Sequence, residues 1–391
     1  MRVLLVHNYY RQPGGEDAVF AAEAALLRSH RQEVVEYTQD NRKIAAGPGL
    51  AVRTLWSAAA GRAIRRRLEE SRPALAHFHN TFPLISPAGY YACRRAGVPV
   101  VQTLHNWRLL CPAATLFREG RVCEECLERR APWPGVVHAC YRGSRVQTAV
   151  VAGMLALHGG LRTWERQIDV YIAPSQFCRS KFAEGGWPAE KILVKPHFVH
   201  PDPGAREGPG EYALFAGRLA DEKGVRPLLQ AWQGLRGVPL VIAGDGPLRR
   251  EVDSAAGRLG GIRALGWRGS AEVLRLMRGA RFLVFPSIWT EPFGRVIIEA
   301  FACGLPVLAD PRGAAGEIVA DGDTGLHYTA GQSSDLAEKA AWLWAHPREA
   351  QVMGRRSRRE FERRYAAEPN FLRLQEIYRV ALAAGARREP V

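Results

Sequence analysis

Residues 281–300 read Arg281-Phe282-Leu283-Val284-Phe285-Pro286-Ser287-Ile288-Trp289-Thr290-Glu291-Pro292-Phe293-Gly294-Arg295-Val296-Ile297-Ile298-Glu299-Ala300. The apolar run before Pro286 predicts a strand, the Pro- and Gly-bearing stretch a loop, and the residues from Arg295 onward a helix. The same grammar recurs on both sides of this segment. In the C-terminal half the runs Tyr212–Ala216, Pro239–Ala243 and Pro306–Ala309 read as strands, with amphipathic stretches such as Ala271–Arg278 between them. Toward the N-terminus the strands are Val3–Val6, Ala74–Phe78, Val98–Leu104 and Val170–Ala173. The first of these leads into the turn Gln12-Pro13-Gly14-Gly15 and an apolar-periodic segment, Val19–Leu27. Strands alternating with helices imply parallel sheets wrapped on both faces.

A chain of 391 residues exceeds what one core usually supports, so two domains are expected. The stretch Phe198–Gly204, rich in proline and charge, reads as the linker. The predicted fold class is therefore α/β, with two doubly wound Rossmann-like domains facing a cleft. The expected domains are 1–198 on the acceptor side, with a cysteine-rich insertion at about 106–145, and 211–370 binding a nucleotide sugar. Residues 371–391 are expected to form a helix packing back toward the first domain.

Hydrophobic residues make up 47% of the chain and charged residues 24%, which excludes a wholly disordered protein. No run approaches the roughly 18 apolar residues of a membrane span, and the opening apolar run is too short for a signal peptide, so the cytoplasm is expected. A net charge of +15 attracts anions: nucleotide phosphates, an anionic membrane face or nucleic acid, the last being the lesser expectation. The stretch from Arg53 through Arg67, which carries Trp56, is a candidate for peripheral contact with an anionic membrane.

Glu291 and Glu299 lie eight positions apart across the loop–helix junction. If Glu291 is in the loop and Glu299 in the helix, the first can reach a sugar and the second a ribose. The helix N-terminus between them, at Gly294, offers backbone N–H groups to a diphosphate. Gly14 and Gly15 could likewise let backbone approach a phosphate, although they lack the full dinucleotide fingerprint.

Several motifs together resemble the retaining family-4 glycosyltransferases with the GT-B fold, the glycosyl transferases group 1. They are Glu291-Pro292-Phe293-Gly294 through Glu299-Ala300, Ala302–Val307, Gly313–Glu317, Phe215–Leu219, Glu222-Lys223-Gly224 and Ala243–Leu248. The resemblance covers essentially the whole second domain and the first more loosely. It implies a nucleoside-diphosphate-sugar donor whose diphosphate is held by Arg218 and Lys223, with Glu299 on the ribose, Glu291 near the sugar or phosphates, and no catalytic metal. It also makes His105 the position where a histidine contacts the donor sugar, and it implies departure and attack on one face of the sugar with neither glutamate as nucleophile. Acceptors would be glycans, lipid-linked sugars or small molecules. His7, His77, His79 and Asn80 are lesser candidates on the acceptor side.

Cys111, Cys123, Cys126 and Cys140 surround one C-x2-C pair and could hold a structural zinc ion, an iron–sulfur cluster or nothing. Cys93, Cys178 and Cys303 read as solitary buried residues. The alternatives to a transferase are a sugar-nucleotide epimerase on the same fold and a non-catalytic anion or nucleic-acid binder.

Overall fold

The computed structural model describes residues 1–391 apart from 12, 13, 45, 46 and 388–391, so Gln12 and Pro13 of the expected glycine turn, and the end of the 371–391 segment, lie outside the described residues. The chain divides into two compact units. One comprises Met1–Leu116, Glu124–Pro196 and Asn370–Val391; the other comprises Phe117–Cys123 and His197–Pro369.

The first unit is built on strands β1 (Arg2–Tyr9), β2 (Glu33–Asp40), β3 (Leu75–Phe78) and β4 (Val100–Thr103). A short antiparallel pair, β5 (Phe117–Arg118) and β6 (Arg121–Val122), interrupts the series before β7 (Val170–Ala173) and β8 (Ile192–Val194). The six-stranded sheet has the order β2-β1-β3-β4-β7-β8 and every pairing is parallel. Val3 to Val6 are all fully buried, because helices cover both faces of an all-parallel sheet and leave no polar side to the central strands. Phe20 and Leu27 of helix Gly15–Ser29 pack on β1, as do Leu374, Ile377 and Tyr378 of helix Ala367–Ala386. The C-terminal helix is thus part of the first unit's core.

The second unit contains β9 (Ala213–Ala216), β10 (Leu240–Ala243), β11 (Ile262–Gly266), β12 (Phe282–Phe285), β13 (Val307–Ala309) and β14 (Gly325–His327). Their order is β11-β10-β9-β12-β13-β14, again all parallel. Strand order reverses between β9 and β12 here, and between β1 and β3 in the first unit. At such a switch point successive connections leave toward opposite faces, which opens a crevice at the carboxyl ends of the strands.

The basic stretch carrying Trp56 falls on two helices. Helix Pro48–Leu55 ends at Trp56, whose extended backbone breaks the run, and helix Ala58–Ser71 starts afresh on the Ser57 cap. No helix among the described residues is long and apolar enough to cross a membrane.

Truncating Leu374, which is fully buried, should cost about 2–5 kcal/mol in Leu374→Ala, read as a lowered urea midpoint, whereas Leu372→Ala on the exposed face should change little.

Candidate active site

In the second unit the turn after β9 and the loop after β12 are locked together by backbone. Gly224 has φ +69°, and a Cβ there would lie 1.7 Å from the Pro286 carbonyl oxygen, so only glycine allows the two segments to approach. The Ile288 amide donates to the Glu222 carbonyl at 3.0 Å. On this frame Lys223 Nζ donates to Glu291 Oε1 at 2.6 Å, and the Ser287 hydroxyl donates to the same oxygen. The ammonium also stands 5.4 Å from the Trp289 ring centre. Behind Glu291, Gly313 admits the loop: a Cβ at Gly313 would come within 2.7 Å of the Glu291 nitrogen.

Arg218 lies nearby in sequence but is exposed and paired with Glu222, so in this state Lys223 alone of the two cations faces Glu291. Gly294 caps helix Arg295–Ala302 at φ +91°, and Glu299, one turn in, pairs with Arg295 at 3.3 Å. Burial raises the Glu299 carboxyl above its ordinary range, and Arg295 partly offsets this. Two buried donors in this region, Trp289 Nε1 and Arg295 Nε, find no acceptor among the described residues. An unsatisfied buried donor is costly, and donors of this kind are satisfied when a ligand supplies oxygen.

In the first unit Gly14 caps helix Gly15–Ser29, and a Cβ at Gly14 or Gly15 would meet nothing within 4 Å. Among the described residues, no side chain or backbone crowds either glycine at the first turn. The Gly14 amide donates to Asp17 Oδ2 at 3.0 Å, and Asp17 Oδ1 meets His7 Nε2 at 2.7 Å, which ties β1 to the first turn of the helix. His105, past the end of β4, shares a 3.0 Å hydrogen bond between its Nε2 and Nδ1 of the buried His79. His77 is held by the Tyr378 hydroxyl at 2.9 Å and by Thr103 at 2.8 Å. Asn80 donates to the Asn8 carbonyl and accepts from the Phe82 amide, shaping the turn after β3.

The four insertion cysteines fall in different places. Cys111 is buried, Cys126 lies in helix Glu125–Glu128 and Cys140 follows helix Trp133–Val137, while Cys123 belongs to the segment Phe117–Cys123 of the second unit. Cys93, Cys178 and Cys303 are fully buried.

Residues 200–360 match the family described as glycosyl transferases group 1, and residues 18–203 match glycosyltransferase family 4. The chain belongs to the family-4 glycosyltransferases. It is 32% identical over 174 residues to a glycosyltransferase of Methanocaldococcus jannaschii, a match covering 44% of this chain and 49% of that protein. With a glycogen synthase of Mycobacterium tuberculosis it shares 31% identity over 283 residues, 68% of this chain and 64% of the relative. The chain thus spans about half to two thirds of the length of these curated relatives. Among solved structures, HepE of Anabaena in complex with UDP superposes with a TM-score of 0.69 at 21% identity, over 96% of this chain and 99% of the other. The fold of this family-4 chain is GT-B.

Sequence reading missed a polar group beside the glycine turn. Glu16 accepts from Asn106 Nδ2 at 2.5 Å and from the Tyr10 hydroxyl at 2.9 Å, and burial raises its carboxyl. The available signal was an acid directly after Gly14-Gly15, with Asn106 directly after His105. Also missed was a buried cluster in which Glu23 lies 3.5 Å from His77 and 3.6 Å from Lys195 while neither of its oxygens accepts a hydrogen bond. These residues come from distant parts of the chain, so only the fold joins them.

Desolvation pushes His77 down to about 4, so it is neutral when folded and takes up a proton near pH 6.5 when unfolded. Its contribution is complete above about pH 6.5 and is lost as pH falls through about 4, worth roughly 3 kcal/mol over that window. The His77→Gln variant should show a shallower fall of urea midpoint between these pH values than the parent chain.

Proposed function

We propose that the chain transfers a glycosyl group from a nucleoside-diphosphate sugar to a hydroxyl acceptor with retention of anomeric configuration. The observation that carries this reading is the meeting of Lys223 and Glu291 on two glycine-locked loops at the β9/β12 switch point, beside buried donors lacking an acceptor. The donor diphosphate would take Lys223 from Glu291 and draw Arg218 inward. Two cations there would neutralise the charge that builds on the leaving diphosphate as the C1–O bond breaks. The acceptor oxygen then bonds to C1 on the face the diphosphate leaves, and its proton passes to a departing phosphate oxygen. Glu299, on the helix starting at Gly294, would accept from the ribose hydroxyls. His105, braced by His79, would donate to the sugar, and Gly14 and Gly15 would let backbone amides approach the donor phosphates.

Among relatives the likeness to HepE with bound UDP makes uridine nucleotides the first donors to test. Glycans, lipid-linked sugars and small molecules are the acceptor classes, and peripheral contact with an anionic membrane would favour the lipid-linked ones. Of the insertion cysteines, Cys111, Cys126 and Cys140 of the first unit would supply thiolates to a structural zinc ion. Helices Glu125–Glu128 and Trp133–Val137 pack on each other, which favours bringing Cys126 and Cys140 together.

A panel of nucleotide sugars should yield one that raises the melting temperature and turns over. Lys223→Ala should then lose about two to three orders of magnitude in turnover, and Glu299→Gln should mainly raise KM, both with the fold retained. Full activity in both variants would remove these residues from the site, and stabilisation by no sugar nucleotide would count against the transferase reading. Metal analysis of the purified chain should find about one zinc per molecule, and Cys126→Ser should abolish it.

A further inference from the structure

A cavity of about 480 Å³ lies in the second unit, between the segment entering it and helix Pro347–Glu360. Its wall carries Arg206, Arg355, Arg358 and Arg359, while the lining includes no carboxylate. Gly304 and Gly354 form the close-packed side, where a Cβ at Gly354 would come within 2.3 Å of the Gly304 carbonyl oxygen. None of these residues belongs to the loops around Glu291.

The four guanidinium groups are not alike. Arg358 is neutralised within the protein: it makes a two-pronged pair with Asp202 at 2.6 and 2.7 Å and a third contact to Glu362 at 2.7 Å. Among the described residues Arg206 donates only to carbonyl oxygens, of Gly304 at 3.2 Å and Ala280 at 3.0 Å, and pairs with no carboxylate. Burial pushes Arg206 down to about 10, with Arg281 adding repulsion, which marks a cation held at a cost. Arg355 and Arg359 are exposed on successive turns and form no ion pair among the described residues. Cations near a helix C-terminus are favoured by the helix dipole, and that accounts for Arg359 without a ligand. It does not account for Arg206, which comes from another segment and reaches the same cavity.

We infer that Arg206, Arg355 and Arg359 form a second anion site, separate from the donor loops, that takes a phosphate-bearing group. Guanidinium forks match phosphate oxygens two at a time, and three uncompensated cations around one concavity suit a group carrying two or more negative charges. A soluble phosphorylated molecule and a lipid headgroup share that chemistry.

The test uses the full chain in an Arg218→Ala/Lys223→Ala background, which silences the donor loops, with two probes: inorganic pyrophosphate, and vesicles of phosphatidylglycerol in phosphatidylcholine. At low salt one probe should bind, and adding Arg355→Ala/Arg359→Ala should weaken it by roughly tenfold or more, with the melting temperature kept because both side chains are exposed. Sensitivity in the pyrophosphate arm assigns a soluble ligand; sensitivity confined to the vesicle arm assigns a headgroup. Binding of neither probe, or equal binding with and without the added pair, overturns the site.

Discussion

Everything at the candidate site depends on the reversal of strand order between β9 and β12. Parallel strands covered on both faces must send their connections to one side or the other, and only at the reversal do neighbouring connections diverge. The loops that carry Lys223 and Glu291 leave from these two adjacent strands. Their approach is limited by backbone rather than side chains, since the Pro286 carbonyl occupies the space a Cβ at residue 224 would need. A glycine at 224 is therefore as much a condition of the Lys223–Glu291 contact as either charged residue.

The eight strands legible in the sequence, β1, β3, β4, β7, β9, β10, β12 and β13, are the inner strands of the two sheets. Within these two sheets the four strands that sequence reading did not find, β2, β8, β11 and β14, are the edges. Inner strands are buried on both faces and read as unbroken apolar runs, as Val3–Val6 and Phe282–Phe285 do. An edge strand such as Glu33–Asp40 is partly exposed along its length, and its mixture of Glu, Val, Tyr and Thr carries no such run. The same logic governs the site. Glu291 and Glu299 were legible because a local motif holds them, whereas Glu23, His77 and Lys195 are brought together from three separate stretches by the sheet and its covering helix.

That buried cluster gives the first unit a polar heart. Lys195 and Glu23 are almost completely buried, and desolvation lowers the affinity of Lys195 for its proton. Buried ion pairs of this kind contribute little net stability, while removal of one partner leaves a stranded charge. Their position under the histidines that lead to His105 links the packing of the core to the orientation of a candidate sugar-contacting side chain.

The helix Ala367–Ala386 imposes an order on biosynthesis. A ribosome adds roughly 5–20 residues per second and domains usually fold from the N-terminus as they emerge. Here the core that Phe20 and Leu27 begin over β1 is completed only when Leu374, Ile377 and Tyr378 have been made. Nearly all of the second unit, His197–Pro369, emerges before that helix and can complete its own core while the earlier unit still waits. Nascent chains would therefore carry an incompletely packed first core for the time needed to synthesise most of a second one.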